Sequence, residues 1–456
     1  MFIGIEKFYS KYKLQSSKKI HTGNYDISVY DCGDYIVKQG KLISLLSDLT
    51  IMCRFKHPSI IHPRNISYNP DNDMLYIAMI KGDPYDIVKH KNHKQYLYQI
   101  LDALSVIYQY GYIHGDVKLD NIIIHDDTAI LIDFGLSTTY LPNLPDMGKY
   151  QGVAYTAGYD RPDNVKHHSV WNSARGDLYA YAKLIQEIDI DDPLLLDLTD
   201  ILLNDRYHSY QEILCHPYFE EKRQADVIVM NPIYEQCTVD DKMYSSYMQW
   251  LLFILKSQKI SLCVTFSILT NMQRSFSLLD NSNILLWMMA HLCICDTILP
   301  SNMIRESRYS ILCNSTYSVS EIHQMIIAIT QHMKGVLLVP TYWNTCGNPD
   351  LLQFYMDILL QPTYYLMHND LSLSVEMGNC TGRRDGPLFS DYKDAITGKD
   401  EYVLYFRYIM EDYSRIDDET ISILYVCRDL LSSQDKEKLI SSHLISDGCK
   451  RFVKSL

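Results

Sequence analysis

The sequence lacks the features that mark several protein classes. Its 12 cysteines form no CxxC pair, which argues against a zinc ribbon or a redox dithiol. The first residues contain no apolar core of signal-peptide length, and the longest apolar run, 284–295, is too short to span a bilayer. These absences predict a chain with no signal peptide or transmembrane segment and with reduced thiols, in an intracellular compartment, cytoplasmic and/or nuclear.

The chain also lacks an excess of basic over acidic residues. The chain has 42 Lys and Arg against 55 Asp and Glu, for a net charge of −13. Nucleic-acid phosphates and anionic lipids do not attract such a charge, so we expect no nucleic-acid partner and no membrane partner. Hydrophobic residues at 47% and charged residues at 21% are ordinary for a packed protein, and 456 residues predict two or three domains.

The first third of the chain mixes strand and helix patterns. Alternating or apolar runs on either side of Cys32-Gly33 predict a hairpin. Helical spacing predicts helices over about 44–55 and 94–110. Short apolar runs predict strands at 74–79, 122–124 and 129–132.

The pattern changes after Phe219. A charged and polar run, EEKRQAD, follows, and downstream of it the spacing of apolar residues is almost wholly helical. Helices are predicted at about 241–256, 261–275, 282–297, 318–335 and 348–366, with a last helical region beginning near residue 400. We therefore expect a domain boundary near residue 222.

The segment IHGDVKLDNIIIHDDTAILIDFG, residues 113–135, carries the chemistry. It contains HxDxKxxN, with Asp116, Lys118 and Asn121, and then Asp133-Phe134-Gly135 about a dozen residues later. Phosphoryl transfer needs a carboxylate at the attacking hydroxyl, a cation at the transferred group, and oxygen ligands for a metal. Asp116 and Lys118 fit the first two needs, and Asn121 with Asp133 fits the third.

These motifs resemble those of the eukaryotic serine/threonine protein kinases, over about residues 20–219. The resemblance implies an α+β, two-lobed kinase fold, ATP and Mg²⁺ as cofactors, and a protein substrate. Lys38 matches the strand lysine that holds the ATP phosphates, and Met79 lies at the gatekeeper position before the hinge. Asp48 lies where the family has a glutamate that pairs with the lysine, and its side chain is one methylene shorter.

The end of the activation segment also resembles the family. Thr156 begins TAGYDRPD and, with Lys118, is similar to the serine/threonine branch, in which these residues flank the catalytic aspartate. Asp163 matches the structural glutamate, with Arg206 as its expected partner. Asp177 matches the buried aspartate that braces the catalytic loop.

The sequence departs from the family in two places. The loop that covers the phosphates keeps Gly23 but has His21 and Asp26 where the family has its other glycines, which predicts a less close approach to ATP. Gly115 replaces the arginine of the usual HRD motif. That arginine commonly grips an activation-loop phosphate, so we expect no dependence on that switch.

The second half resembles a cyclin box, over about 237–345. The match consists of Trp250-Leu251, the apolar helix that ends at Pro300, and SxxEIxxM beginning at Ser318. A generic helical bundle, whose apolar stripes are simply core, stays open as the alternative. A module of this kind, tethered to a kinase, would stay engaged at high effective concentration.

The sequence thus predicts a two-lobed kinase fold followed by an all-α cyclin-like domain. The expected order is an N-terminal extension (1–19), a kinase N-lobe (20–82) and C-lobe (83–222), a linker (223–240), a cyclin-like domain (241–345) and a C-terminal helical region (346–456), for which a second cyclin-like repeat stays open. The predicted function is ATP-dependent phosphorylation of protein hydroxyls, activated in cis by the cyclin-like domain as an intramolecular partner. The alternative is a catalytically weak pseudokinase that recruits partners through its helical half.

The predicted site residues fall into three groups. Asp116, Lys118 and Thr156 are the catalytic group, Lys38, Gly23, Asp48 and Met79 bind ATP, and Asn121 with Asp133 holds the metal.

Overall fold

The structure is a computed structural model. It describes residues 1–22, 27–86, 91–139, 159, 174–207, 209–219, 224–233, 235, 241–258, 260–299, 304, 306–339 and 341. Two compact units divide these residues. The first takes those within 1–139, 159–231 and 293–339, and the second takes those within 232–292 together with Thr341.

A five-stranded antiparallel sheet forms the N-terminal part of the first unit. Its strand order is β1-β2-β3-β6-β5. The strands are β1 (Lys18–Thr22), β2 (Ser28–Asp31), β3 (Tyr35–Lys41), β5 (Asn65–Asn69) and β6 (Met74–Ile80). The predicted hairpin at Cys32-Gly33 is confirmed by β2 and β3, where Gly33 takes a φ of 83° that glycine adopts at little cost.

Helix α1 (Ile5–Tyr12) packs on one face of this sheet. Phe8 and Tyr12 are buried against Val37, Tyr76 and Ala78. Successive strand side chains point to opposite faces, so Lys38 projects from the face that α1 does not cover. The predicted N-terminal extension, 1–19, therefore includes a helix that supplies part of the sheet's core.

Further elements surround the motif region. The predicted helices are confirmed as α2 (Leu46–Arg54) and α3 (His93–Gln109), and Gly111 follows α3 with a φ of 80°. The remaining elements are β7 (Asp83–Pro84), β8 (Tyr112–Ile113), β9 (Ile122–His125), β10 (Thr128–Leu131), β11 (Thr138–Thr139), α4 (Ala174–Ile188), α5 (Pro193–Leu203) and α6 (Tyr210–Leu214). Strands β9 and β10 confirm the strands predicted at 122–124 and 129–132 and pair antiparallel, with β7 beside β9.

The segment 224–230, which the sequence predicts as part of a linker, contains a strand. Strand β12 (Ile228–Val229) pairs antiparallel with β4 (Phe55–Lys56), directly after α2. Nearby, the Ala225 amide donates to Asp102 Oδ2 at 2.9 Å, and the Arg54 guanidinium donates to the Met230 carbonyl. These bonds satisfy main-chain groups of the segment, and the pairing with β4 and the bond from Arg54 attach it to the end of α2.

The remaining described residues are largely helical. The elements are α7 (Asp241–Ser257), α8 (Leu262–Gln273), α9 (Ile284–Ile298), α10 (Glu306–Leu312) and α11 (Val319–His332). They confirm the helices predicted at 241–256, 261–275, 282–297 and 318–335. Helix α10 is not predicted from the sequence. The helix predicted at 348–366 and the rest of the region 346–456 lie outside the described residues. Ser318 and Glu321 form a capping box that starts α11.

No helix in the described part of the chain is long and apolar enough to cross a membrane.

Candidate active site

Lys38 lies between two carboxylates. Its Nζ is 2.9 Å from Asp48 Oδ2 and 2.8 Å from Asp133 Oδ1. Strand β3 supplies the lysine, α2 supplies Asp48, and the loop after β10 supplies Asp133. The shorter acid at position 48 therefore reaches the lysine, a point that the sequence left open.

Asp48 makes a second bond that the sequence does not predict. Its Oδ1 accepts a hydrogen bond from the Phe134 amide at 3.0 Å, and the residue is 1% exposed. A buried carboxylate is stable only when its oxygens are bonded, and Asp48 uses both of them. It thereby ties α2 to the strand lysine and to the Asp133-Phe134-Gly135 segment.

The charges in this cluster affect one another. Burial would lower the pKa of Lys38, but the adjacent carboxylates of Asp48 and Asp133 outweigh it and raise that pKa above its ordinary value. Burial raises the pKa of Asp48. For Asp133, Lys38 overcomes the effect of burial, and the pKa is lowered. Lys38 is thus cationic and Asp133 anionic at neutral pH, as a site for phosphate and metal requires.

Asp133 also has an unusual backbone. Its φ is 62°, in the left-handed region that non-glycine residues seldom adopt. Its side chain is about half exposed, so the carboxylate faces solvent while Lys38 holds one oxygen. Strained backbone of this kind clusters at functional sites.

The catalytic-loop motif folds around Asp116. Asn121 Nδ2 donates to the Asp116 carbonyl at 2.8 Å and to Oδ2 at 2.9 Å, and Lys118 Nζ lies 2.7 Å from the same Oδ2. The structure therefore brings together the three predicted residues of this loop. Their mutual bonds fix the orientation of the Asp116 carboxylate.

Two buried residues, Asp177 and His114, support the loop that carries Asp116. Asp177 accepts hydrogen bonds from the His114 amide at 2.7 Å and the Gly115 amide at 2.9 Å, and burial raises the pKa of its carboxyl group. His114 is itself buried. Its Nδ1 accepts the Asp116 amide at 3.1 Å and its Nε2 donates to the Ile132 carbonyl at 3.2 Å, so this histidine is a structural support.

Gly115 has a conformational reason to be glycine. Its φ is 81°, and a Cβ at this position would lie 2.6 Å from the Leu136 carbonyl oxygen. From the sequence alone, Gly115 is notable only because it replaces the arginine of the usual HRD motif. The close approach of the Leu136 main chain was not predictable from spacing.

Asn121 and Asp133 are the two residues that the sequence predicts as ligands for a divalent metal. The Ile132 amide donates to the Asn121 carbonyl at 2.9 Å, which brings the two residues close together. With Nδ2 used on Asp116, the Asn121 side chain has its oxygen left, and Asp133 offers a second carboxylate oxygen. Two hard oxygen ligands, completed by phosphate and water, fit Mg²⁺, although the described residues contain no cluster of three or more His, Cys, Asp or Glu.

The other predicted site residues have different outcomes. Met79 lies on β6, opposite Ile36 and two residues from Ile77, which is opposite Lys38, so Met79 shares the face of the sheet from which Lys38 projects. Gly23, Thr156 and Asp163 lie outside the described residues. Arg206 is paired with Asp200.

Comparison with known proteins shows what this region is similar to. Residues 35–256 match the family model for the protein kinase domain, which extends beyond the end that the sequence resemblance predicts, at 219. This part of the chain is thus similar to protein kinase domains, and its sheet-rich N-terminal part and helical features fit a two-lobed kinase fold.

Several curated protein kinases are similar to parts of this chain. The chain is 35% identical over 101 residues to the probable serine/threonine-protein kinase KIN1 homolog of Encephalitozoon cuniculi (20% of this chain, 18% of the relative). It is 27% identical over 152 residues to cyclin-dependent kinase F-4 of Oryza sativa subsp. japonica (31% and 32%). To the cyclin-dependent kinase 4 homolog of Caenorhabditis elegans it is 29% identical over 210 residues (38% and 49%). The chain spans less than half the length of each of these curated relatives, and together they support a serine/threonine protein kinase.

Proposed function

We propose that the chain is an active serine/threonine protein kinase, which transfers the γ-phosphoryl group of ATP to hydroxyls of a protein substrate. The observation that carries this proposal is the position of Lys38, bonded to both Asp48 and Asp133. A cation and a metal-binding carboxylate must lie together to hold the phosphates of ATP. Neither this geometry nor the relatives support the alternative of a pseudokinase scaffold.

Each residue of the cluster has a role in this proposal. Asp116 orients the substrate hydroxyl and accepts its proton, while Lys118, 2.7 Å from it, stabilises negative charge on the transferred group. Lys38 holds the ATP phosphates. Asn121 and Asp133 would hold Mg²⁺, which neutralises phosphate charge when bound.

A matched pair of variants tests the proposal. Asp116→Asn removes the proton acceptor, and we expect phosphoryl transfer from radiolabelled ATP to a generic protein substrate to fall by about 10²- to 10⁴-fold. Asp120→Asn changes an exposed acid in the same loop and should leave the rate unchanged. Equal rates for the Asp116→Asn variant and the unmodified chain would refute the assignment, and the thermal melting temperature of each variant shows whether it is folded.

We further propose activation in cis, by the cyclin-like region acting on α2. Three contacts within the first unit support it. Two of them join the region to residues outside α2: His323 Nδ1 on α11 lies 2.9 Å from Asp73 Oδ1, and the Tyr112 hydroxyl donates to the Leu338 carbonyl at 2.8 Å. The third is on α2 itself, where Gly335 packs against Cys53. Because Cys53 and Asp48 belong to one helix of nine residues, residues that hold one end of α2 also set the position of Asp48.

Gly335→Ala tests this second proposal. Gly335 has a φ of 85°, and a Cβ there would overlap Cys53 Sγ, so the substitution pushes against α2. Gly33→Ala is the matched control, because Gly33 has a φ of 83° with nothing within 4 Å of its Cβ position. We expect a lower kcat for Gly335→Ala only. Equal kcat in the two variants would contradict activation through this contact.

A further inference from the structure

A cavity of about 660 Å³ opens beside the end of α2. It lies wholly within the first unit. The N-terminal residues, Cys53 at the end of α2, Met230 after β12 and Ile327 on α11 contribute apolar walls. The volume is in the range of cavities that bind small molecules.

The polar groups at this cavity are cationic or neutral. Lys56, Lys334 and Gln331 line it, and no Asp or Glu is among its described lining residues. Neither lysine forms an ion pair with another described residue, and both are exposed. The cavity thus joins an apolar wall to two lysine ammonium groups that no acid among the described residues neutralises.

The positive charge of this region also affects His62, which lies near the cavity lysine Lys56. Burial, together with the charges of Arg64 and Lys56, lowers the pKa of His62. Cys53 is unsuited to covalent capture of a ligand, because burial raises the pKa of its thiol to about 12 and the thiolate is the nucleophile. A ligand here is therefore held by apolar contact and by charge.

We propose that this cavity binds a small amphiphilic anion, an alkyl or aryl body that ends in a carboxylate or phosphate. The body lies against Cys53, Met230 and Ile327, and the anionic group lies at Lys56 and Lys334. A neutral ligand would gain no charge attraction from the two ammonium groups, and a cationic one would be repelled by them. The site does not depend on the proposed phosphoryl transfer.

Binding would also restrain two helices. The cavity joins α2, through Cys53, to α11, through Ile327 and Gln331. A ligand that binds only when these helices are in contact stabilises that arrangement by mass action. Occupancy therefore restrains the helix that carries Asp48.

Decanoate is the probe, with decanol as its neutral counterpart, titrated calorimetrically into the full chain. We expect decanoate to bind at least about tenfold more tightly than decanol. The double variant Lys56→Gln/Lys334→Gln should lose that preference. The control Lys19→Gln/Lys41→Gln makes the same charge change at exposed lysines that do not line the cavity, and it should keep the preference.

Hydrogen exchange locates the ligand. With decanoate at ten times its Kd, amide exchange in α2 and α11 should slow by up to about tenfold, and the double cavity variant should show no slowing at the same concentration. Three results would overturn the proposal: no binding of decanoate, equal affinity for decanol, or unchanged decanoate affinity in a folded double cavity variant. Melting temperatures establish that the variants are folded.

Discussion

Lys38 and the buried Asp48 form an ion pair, with Nζ and Oδ2 2.9 Å apart, although aspartate is one methylene shorter than the glutamate that the kinase resemblance leads us to expect. Helix α2 lies close enough to the sheet for this side chain to reach. The other oxygen of Asp48 accepts the Phe134 amide. One short side chain thus joins three segments that a kinase site must bring together.

Asp48→Glu should therefore weaken the enzyme, although glutamate is the residue expected from the kinase resemblance. The site is 1% exposed, and an added methylene in a packed interior costs about 1–3 kcal/mol. It also displaces one of the two bonds that Asp48 makes. We expect kcat/KM for ATP to fall by about tenfold, since about 1.4 kcal/mol of lost transition-state stabilisation gives that factor.

Steady-state kinetics and thermal unfolding of the full chain check this prediction. Asp34→Glu, an exposed site, is the control for the same chemical change. If Asp48→Glu matched or exceeded the unmodified enzyme, α2 would have to move to accommodate glutamate, and the close position of α2 would not explain the aspartate.

Gly115→Ala should destabilise the first unit more than Gly33→Ala does. Both positions have φ values near 80°, where an L-residue costs about 1–2 kcal/mol. At Gly115 the new Cβ also meets the Leu136 carbonyl oxygen at 2.6 Å, whereas at Gly33 it meets nothing within 4 Å. Melting temperatures of the two variants isolate the effect of the close contact, and equal losses would show that the Leu136 contact relaxes freely.

The burial of His291 predicts that the free energy of unfolding decreases in mild acid. It is fully buried on α9, and burial, with the charge of Arg274, lowers its pKa to about 3. Below its ordinary pKa of about 6.5, the unfolded chain binds a proton that the folded chain excludes. The contribution of His291 to stability is therefore full above that pKa and is lost as pH falls from about 6.5 towards 3, by roughly 2 kcal/mol at pH 5.

His291→Gln should reduce this dependence. Its Nε2 lies 2.8 Å from Ser275 Oγ, a bond that the glutamine amide can reproduce. Unfolding at pH 7 and pH 5, compared with that of the exposed-site variant His21→Gln, measures the difference. A pH dependence as steep in His291→Gln as in the unmodified chain would assign the effect to other groups.

The sequence is sufficient to predict the parts of the site whose geometry is local. Asp116, Lys118 and Asn121 belong to one short loop, and its spacing predicts that they lie together. The hairpin at Gly33 and the helices α2 and α3 follow from turn residues and from periodicity. These features depend on neighbours a few residues away.

Contacts between distant segments could not be predicted in the same way. The Asp48–Phe134 bond, the β12–β4 pairing and the Tyr112–Leu338 bond join residues that are distant in the chain. Each contact depends on how closely packed helices and strands approach one another. Neither the periodicity of apolar residues nor a sequence motif determines that distance. Gly115 illustrates the limit, because the motif reveals the missing arginine and only the packing reveals Leu136.

The most direct test of the central claim is the identity of the phosphorylated residue. The purified full chain is incubated with radiolabelled ATP, Mg²⁺ and a generic protein substrate, and the product is hydrolysed and separated into its phosphoamino acids. A serine/threonine kinase built on Lys38, Asp116 and Asp133 yields labelled phosphoserine or phosphothreonine, which a chelator abolishes. No label above the chelated control, or label confined to phosphotyrosine, would contradict the account.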